Sequence, residues 1–202
     1  MLVGDERLSE RDFDRLAELH VASIGDSIPS FLGPAYARHL YRFLAGSDRE
    51  HVLMERVDGR IGSACVVSLA PNSVHARIAR GTLAALLGHA LVAFVRRRDF
   101  RAFVAATVRD LMRGGADDFP GPEIVYLFTD ASLRGGGLGR KLIDATDALL
   151  RSRGESIYFV QTIDGPDNRA LAFYANAGFV RIGDRYERGR RFALFHRKLE
   201  RG

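Results

Sequence analysis

The stretch that most constrains this chain runs from Glu123 to Leu150. An apolar run, Ile124-Val-Tyr-Leu-Phe-Thr129, leads into Arg134-Gly-Gly-Gly-Leu-Gly139 and then into a helical pattern from Arg140 to Leu150. With glycines at 135, 136, 137 and 139, the loop offers a partner its backbone N–H groups and its freedom in φ. Because it opens into a helix, those N–H groups and the positive end of the helix dipole converge on one place, which suits a phosphate or pyrophosphate. Arg134 stands at the entrance, placed to add a charge-assisted contact.

Two familiar phosphate loops do not fit. A P-loop needs Gly-x-x-x-x-Gly-Lys-Ser/Thr, and here Lys141 falls two residues past Gly139 with Leu142 behind it. A dinucleotide fingerprint started on Gly135 and Gly137 reaches Arg140 at its third glycine position.

After the central stretch, Ser156-Ile-Tyr-Phe-Val-Gln-Thr162 reads as a strand buried on both sides from its nearly continuous apolar run. The loop Asp164-Gly-Pro-Asp167 then leads to a helix from Asn168 to Asn176 that carries Ala170, Leu171, Phe173 and Tyr174 and ends at Gly178-Phe179.

On Arg134, Gly137 and Gly139, followed by Ala170, Tyr174, Gly178 and Phe179, the sequence resembles the GNAT superfamily of acyl-CoA-dependent N-acyltransferases. The resemblance is dense over residues 123–180 and a matter of pattern only in the N-terminal third. It implies an α/β fold, one mixed sheet flanked by helices, with acetyl-CoA as co-substrate and no metal. The cofactor contacts it implies are Phe128 and Thr129 on the strand, Arg134, Gly135, Gly136, Gly137, Leu138 and Gly139 in the cradle, and Asp167, Asn168 and Tyr174 beyond. By the same resemblance, Phe128, Thr129 and Asp130 occupy the place where free backbone groups meet pantetheine and the thioester.

Tyr174 takes the role of acid toward the leaving thiolate, and Glu123 stands where some members carry their general base; Glu55 and Asp130 are alternatives. A plain reading of Glu123, directly after Pro122, is an exposed residue at a strand start. Two departures from the family pattern stand out. Ala131 replaces a common proline after the strand, and Asp167 holds the position seven before Tyr174 where an asparagine is usual, with Asn168 six before. Seven residues are nearly two turns, so Asp167 is expected to share a face with Tyr174 and to cap its helix.

The rest of the chain fits one domain over residues 1–202. Residues 2–8 read as a short strand, and Ser9 with Asp12 starts a helix carrying Phe13, Leu16, Leu19, His20 and Ile24. Pro34 starts a second helix after a turn-rich connection. By the resemblance, residues 26–33 in that connection touch the acceptor. The runs 51–57 and 60–69 form a hairpin about Asp58-Gly59, and 179–187 with 191–199 form a closing hairpin. Between them, residues about 74–118 read as a two-helix insertion, with helices near 75–95 and 99–113. It is expected to act as a lid or subunit contact, the latter in a homodimer, with a membrane surface as the alternative.

A net charge of +5 favours an anionic partner. Yet the basic residues are scattered, almost all Arg, with one cluster at Arg96-Arg97-Arg98 and Arg101, and no nucleic-acid signature accompanies it. The lone Cys65 excludes a disulfide framework, and the N-terminus carries no apolar leader, so a cytoplasmic location is expected. The acceptor is expected to be a small-molecule primary amine; the Phe31-Leu-Gly-Pro34 connection and the helical insert look like members associated with polysaccharide or sugar metabolism, which suggests an amino sugar. The alternative is a non-catalytic acyl-CoA-binding or regulatory protein.

Overall fold

The structure, a computed structural model, describes residues 8–25, 27–112 and 119–200. Helix α1 (Glu10–Ser23) opens on a complete capping box, in which Ser9 accepts from the Asp12 N–H and Asp12 accepts from the Ser9 N–H. The strand expected over residues 2–8 lies, Leu8 apart, outside the described residues. A five-residue helix α2 (Ile28–Leu32) occupies the turn-rich connection, and α3 (Pro34–Ala45) follows with proline in its first turn.

Strands β1 (Glu50–Val57) and β2 (Arg60–Ser68) form the expected hairpin. Asp58 and Gly59 both take positive φ, 50° and 76°, as a two-residue turn between twisted strands requires. Strand β3 (Glu123–Thr129) lies antiparallel to β2 and parallel to β4 (Ile157–Ile163). Helix α7 (Leu138–Ser152) connects β3 to β4, and α8 (Arg169–Asn176) leads to the closing hairpin β5 (Val180–Glu187) and β6 (Arg190–Lys198). That hairpin also turns on two residues, Arg188 and Gly189, one fewer than its sequence suggests. The sheet order is β1-β2-β3-β4-β6-β5.

Each face of the sheet has its own core. Leu142, Ile143 and Leu150 of α7 pack with Tyr174 and Phe179 on one face, and Leu16, Leu40, Tyr41 and Leu44 of α1 and α3 pack on the other. Helix α7 is fixed by a polar cluster as well. Buried Asp147 accepts from the Tyr158 hydroxyl at 2.8 Å and from Arg197 Nε and Nη2 at 3.1 and 2.8 Å, while Arg197 donates to the carbonyl of Ala177 at the end of α8. One arginine thus ties the end of α8 to the cradle helix.

Between β2 and β3 the sequence suggests one helix near 75–95, and there the structure differs. It forms α4 (Val74–Gly81) and α5 (Leu83–Arg96), bent by 83° at Thr82. The break has a local cause. Thr82 Oγ1 donates to the Ile78 carbonyl at 2.8 Å and bonds the Tyr36 hydroxyl at 3.1 Å. The Phe43 ring lies where a side chain on residue 81 would stand, so only glycine permits the approach of α4 to α3. Helix α6 (Arg98–Met112) follows and packs, through Phe100 and Phe103, against Phe31 of α2.

Candidate active site

The parallel pair β3 and β4 is joined over only two residue pairs, Glu123 with Phe159 and Ile124 with Val160. Beyond them the strands separate. The cause is visible in β3, where the register against β2 slips between Val66 and Val67, leaving Val125 as an extra residue; such a bulge bends the strand it sits in. The bend leaves one edge of β3 unpaired from Val125 to Thr129.

Which backbone groups face the opening follows from the ladder on the other edge. Asp130 gives its N–H to the Gly62 carbonyl at 2.8 Å, so by the alternation of an antiparallel pair Phe128 also turns its amide toward β2. Leu127 and Thr129 therefore turn theirs toward the cleft. Phe128 buries its ring against His20 and Tyr41, and Asp130 gives its N–H to the sheet. Leu127 is the cleft residue that sequence reasoning passed over, and only the bulge reveals it.

At the open end of the cleft stands the glycine loop. Gly135 and Gly137 have φ of 85° and 80°, and Gly137 caps α7 with no side chain bonded to the helix's first N–H groups. The N-terminus of α7 therefore keeps its orphan donors for a ligand. Gly135, Gly136 and Gly137 are exposed, Arg134 is exposed beside them, and Leu138 is buried as the anchor of the first turn. Gly139 has a different task, since a Cβ there would stand 3.1 Å from the Phe173 ring: it lets α7 lie directly on α8. The residues present fit a pyrophosphate in place, charge and donor supply.

A β-branched side chain at Gly137 would be forced into the left-handed region at a cost of about 1–2 kcal/mol. Gly137→Val is accordingly expected to weaken acetyl-CoA binding roughly tenfold by calorimetric titration. Unchanged affinity would remove the cradle.

The loop's entrance is held by Asp130, which accepts from Ser132 at both backbone and hydroxyl and pairs with Arg15 of α1. These contacts, the Ser132 bonds foremost, lower its pKa to about 2, which makes it a poor base.

Helix α8 begins at Arg169, and Asn168, not Asp167, is its cap, accepting from the Ala170 N–H at 3.0 Å. The expectation for Asp167 fails because Asn168 also has donors: its amide reaches Thr162 Oγ1 and the Ile163 carbonyl, fastening α8 to the end of β4, which a carboxylate cannot do. Asp167 is exposed and lies before the helix, so the two-turn relation to Tyr174 does not apply. Tyr174 is buried, its ring edge-on to Phe173 and Phe179 at 5.3 and 5.2 Å. Burial raises its pKa, with Cys65 and Glu123 adding to the shift, so the phenol stays protonated and its O–H is available as a donor.

Glu123 is only 7% exposed, contrary to the plain reading of a strand-start residue. Burial pushes its pKa up to about 8; Arg185 opposes the shift and Glu187 adds to it. Glu123 also raises the pKa of Tyr126, a lesser contribution than Tyr126's own burial. Tyr126 lines a pocket of ≈ 50 Å³ together with Tyr36, His75, Pro29, Ile78 and Leu86. This pocket brings together α2, α3, α4, α5 and β3, and residues 28–29 of the expected acceptor connection are in it; Asp26 lies outside the described residues.

A further residue unmarked in sequence is His20. Fully buried, it bonds Tyr41 Oη at 2.8 Å and Ser27 Oγ at 2.9 Å, and its ring stands edge-on to Tyr126 at 4.6 Å. Burial lowers its pKa to about 3, so it is a neutral strut that fixes the α1–α2 connection against the pocket wall. The only sequence signal was its place on the apolar stripe of α1.

Residues 88–181 match the sequence model of the acetyltransferase (GNAT) domain. No curated protein sequence matches the chain. Among solved structures, an acetyltransferase is similar over 96% of this chain and 98% of its own, with 16% identity and a TM-score of 0.64. An aminoglycoside 6′-N-acetyltransferase complexed with coenzyme A is similar over 100% and 98%, with 10% identity and a TM-score of 0.64. A ribosomal-protein-alanine N-acetyltransferase from Brucella melitensis is similar over 96% and 98%, with 15% identity and a TM-score of 0.59. Identities this low speak for the fold alone, and the domain match is confined to residues 88–181. The parted strands, the glycine loop at their mouth and the domain match agree, and residues 88–181 are similar to the GNAT acetyltransferase domain.

Proposed function

We propose that this protein transfers an acetyl group from acetyl-CoA to a primary amine of a small molecule, and that the acceptor is an amino sugar. The observation that carries the reading is the parting of β3 from β4 beyond Ile124 and Val160, directly above the unoccupied N–H groups at the start of α7. An opening of that kind in an otherwise paired sheet leaves donors and acceptors exposed at a cost, which a bound ligand offsets.

Acetyl-CoA supplies the acyl group already activated as a thioester. The chain's residues supply the rest. Gly135, Gly137, Leu138 and Gly139 hold the pyrophosphate with backbone N–H groups, Gly136 closes the turn by giving its N–H to the Leu133 carbonyl, Arg134 adds charge, and the cleft-facing backbone of Leu127 and Thr129 pairs with the pantetheine arm. A cleft-facing N–H of β3 stabilises the carbonyl oxygen as charge develops on it. Glu123 takes the proton from the acceptor ammonium, directly or through one water, and Tyr174 donates a hydrogen bond to the departing sulfur. The nitrogen's second proton, lost as the amide forms, passes through the Tyr174 hydroxyl to the sulfur, which leaves as the thiol while Tyr174, its pKa raised, ends protonated.

For the acceptor, the pocket of ≈ 50 Å³ admits the amine-bearing end of a small molecule between the rings of Tyr36, Tyr126 and His75, with the body of an amino sugar lying at its mouth. Two structural neighbours, among them the coenzyme A complex, are aminoglycoside 6′-acetyltransferases, which agrees with such an acceptor. We read residues 1–202 as one domain in which α4, α5 and α6 cover this pocket. Thiol release measured across amino sugars, polyamines and peptides is expected to be fastest on an amino sugar. Turnover confined to peptides or polyamines would contradict the assignment.

A further inference from the structure

Helix α5 has two faces of unlike fate. Its inner side, Ala85, Leu86, Ala90 and Ala93, packs into the core it shares with α2 and α6. Its outer side is apolar and open: Leu87 is 62% exposed, Leu91 69% and Val95 70%, with Leu83 and Phe94 about half exposed in the same sector. Spacings of four residues place Leu83, Leu87, Leu91 and Val95 in one row. No charged side chain interrupts the helix from Leu83 to Val95. A row of this size is larger than the scattered apolar residues of ordinary protein surface and marks a contact.

The charge around the row names the partner. From Arg60 to Arg98 the chain contains no acidic residue. At the C-terminal end of α5, Arg97 is paired with Asp99, and Arg101 donates to the carbonyls of Phe94 and Val95. Arg96 and Arg98 are exposed, with no ion pair among the described residues. A second copy of this chain docked on the same row would bring no acid from this stretch to meet them. Among the described residues no single helix is long and apolar enough to cross a membrane, and α5 with its 14 residues falls short of the ~20 needed.

We propose that the outer face of α5 seats the protein on an anionic phospholipid surface, with Leu83, Leu87, Leu91, Phe94 and Val95 entering the acyl boundary and Arg96 and Arg98 meeting the headgroup phosphates. Apolar insertion and basic attraction are the two contributions by which such helices bind in the interface plane. The neighbouring residue Leu86 lines the acceptor pocket, so seating α5 brings that pocket beside the lipid. This inference stands on the helix alone and is independent of the acceptor.

The test is sedimentation of the full chain with vesicles of phosphatidylcholine, and with vesicles of phosphatidylcholine and phosphatidylglycerol in equal parts, at low and high salt. We expect partitioning onto the anionic vesicles roughly tenfold stronger than onto the neutral ones, weakened by salt. Leu87→Glu with Leu91→Glu should abolish it, and Arg96→Gln with Arg98→Gln should remove the preference for anionic lipid, with circular dichroism unchanged in both. Failure of the wild-type chain to bind either vesicle would overturn the proposal, as would binding that both variants retain. So would a dimer seen by light scattering that Leu87→Glu with Leu91→Glu dissolves while vesicles bind nothing, since the row would then be an interface between copies.

Discussion

Tyr174→Phe will lower the rate of thiol release by about 10²-fold or more, the usual worth of a positioned proton donor, while leaving acetyl-CoA affinity nearly unchanged. The expectation rests on what the substitution removes. The ring sits among Phe173, Phe179 and Phe195, and phenylalanine keeps those contacts. The hydroxyl has no hydrogen-bonding partner among the described residues, so its loss breaks no bond that holds the fold. Only the departing sulfur loses a donor. Thiol release followed in the first turnover, with thermal melting as control, separates the two effects. A rate within twofold of wild type would remove Tyr174 from the reaction.

Glu123→Gln carries the second large effect, and here pH decides. With a pKa of about 8 the carboxyl is protonated and idle below that value and ionised above it, so kcat/KM of the wild type should rise as pH climbs through about 8. The glutamine variant should lose that rise and fall about 10²-fold at alkaline pH. Stability should move the other way. Between the ordinary carboxylate value of 4.5 and about 8, the folded protein holds a proton that the unfolded chain releases, so stability falls as pH rises through that window. Glutamine does not ionise, and the variant should melt higher than wild type at pH 8 and no higher at pH 4. A variant that is slower, more stable and flat in pH has lost a base; one that is merely less stable has lost a packing residue.

The sequence was most legible where chemistry and geometry are written in adjacent residues. The glycine loop, the capping box at Ser9 and the Asp58-Gly59 turn each occur as read, because each depends on local backbone preference. What it did not show depends on partners distant in the chain. The break at Thr82 joins local signals, Gly81 and the Thr82 bond to Ile78, to Phe43 and Tyr36 of α3, and the local signals alone do not announce it. The burial of Glu123 depends on elements around it that the pentad Phe119 to Glu123 cannot specify. The cap at Asn168 turned on an amide donor to β4 that a spacing argument does not weigh. Leu127 belongs to the cleft only because a bulge at Val125 bends β3 away from β4, a register event with no signature in an apolar run.

The central claim is that the opening between β3 and β4, with the start of α7 at its mouth, binds acyl-CoA. Calorimetric titration of the full chain with acetyl-CoA tests it most directly. One saturable site, weakened by Gly137→Val, is the predicted result; no heat of binding from the wild-type chain would contradict the account.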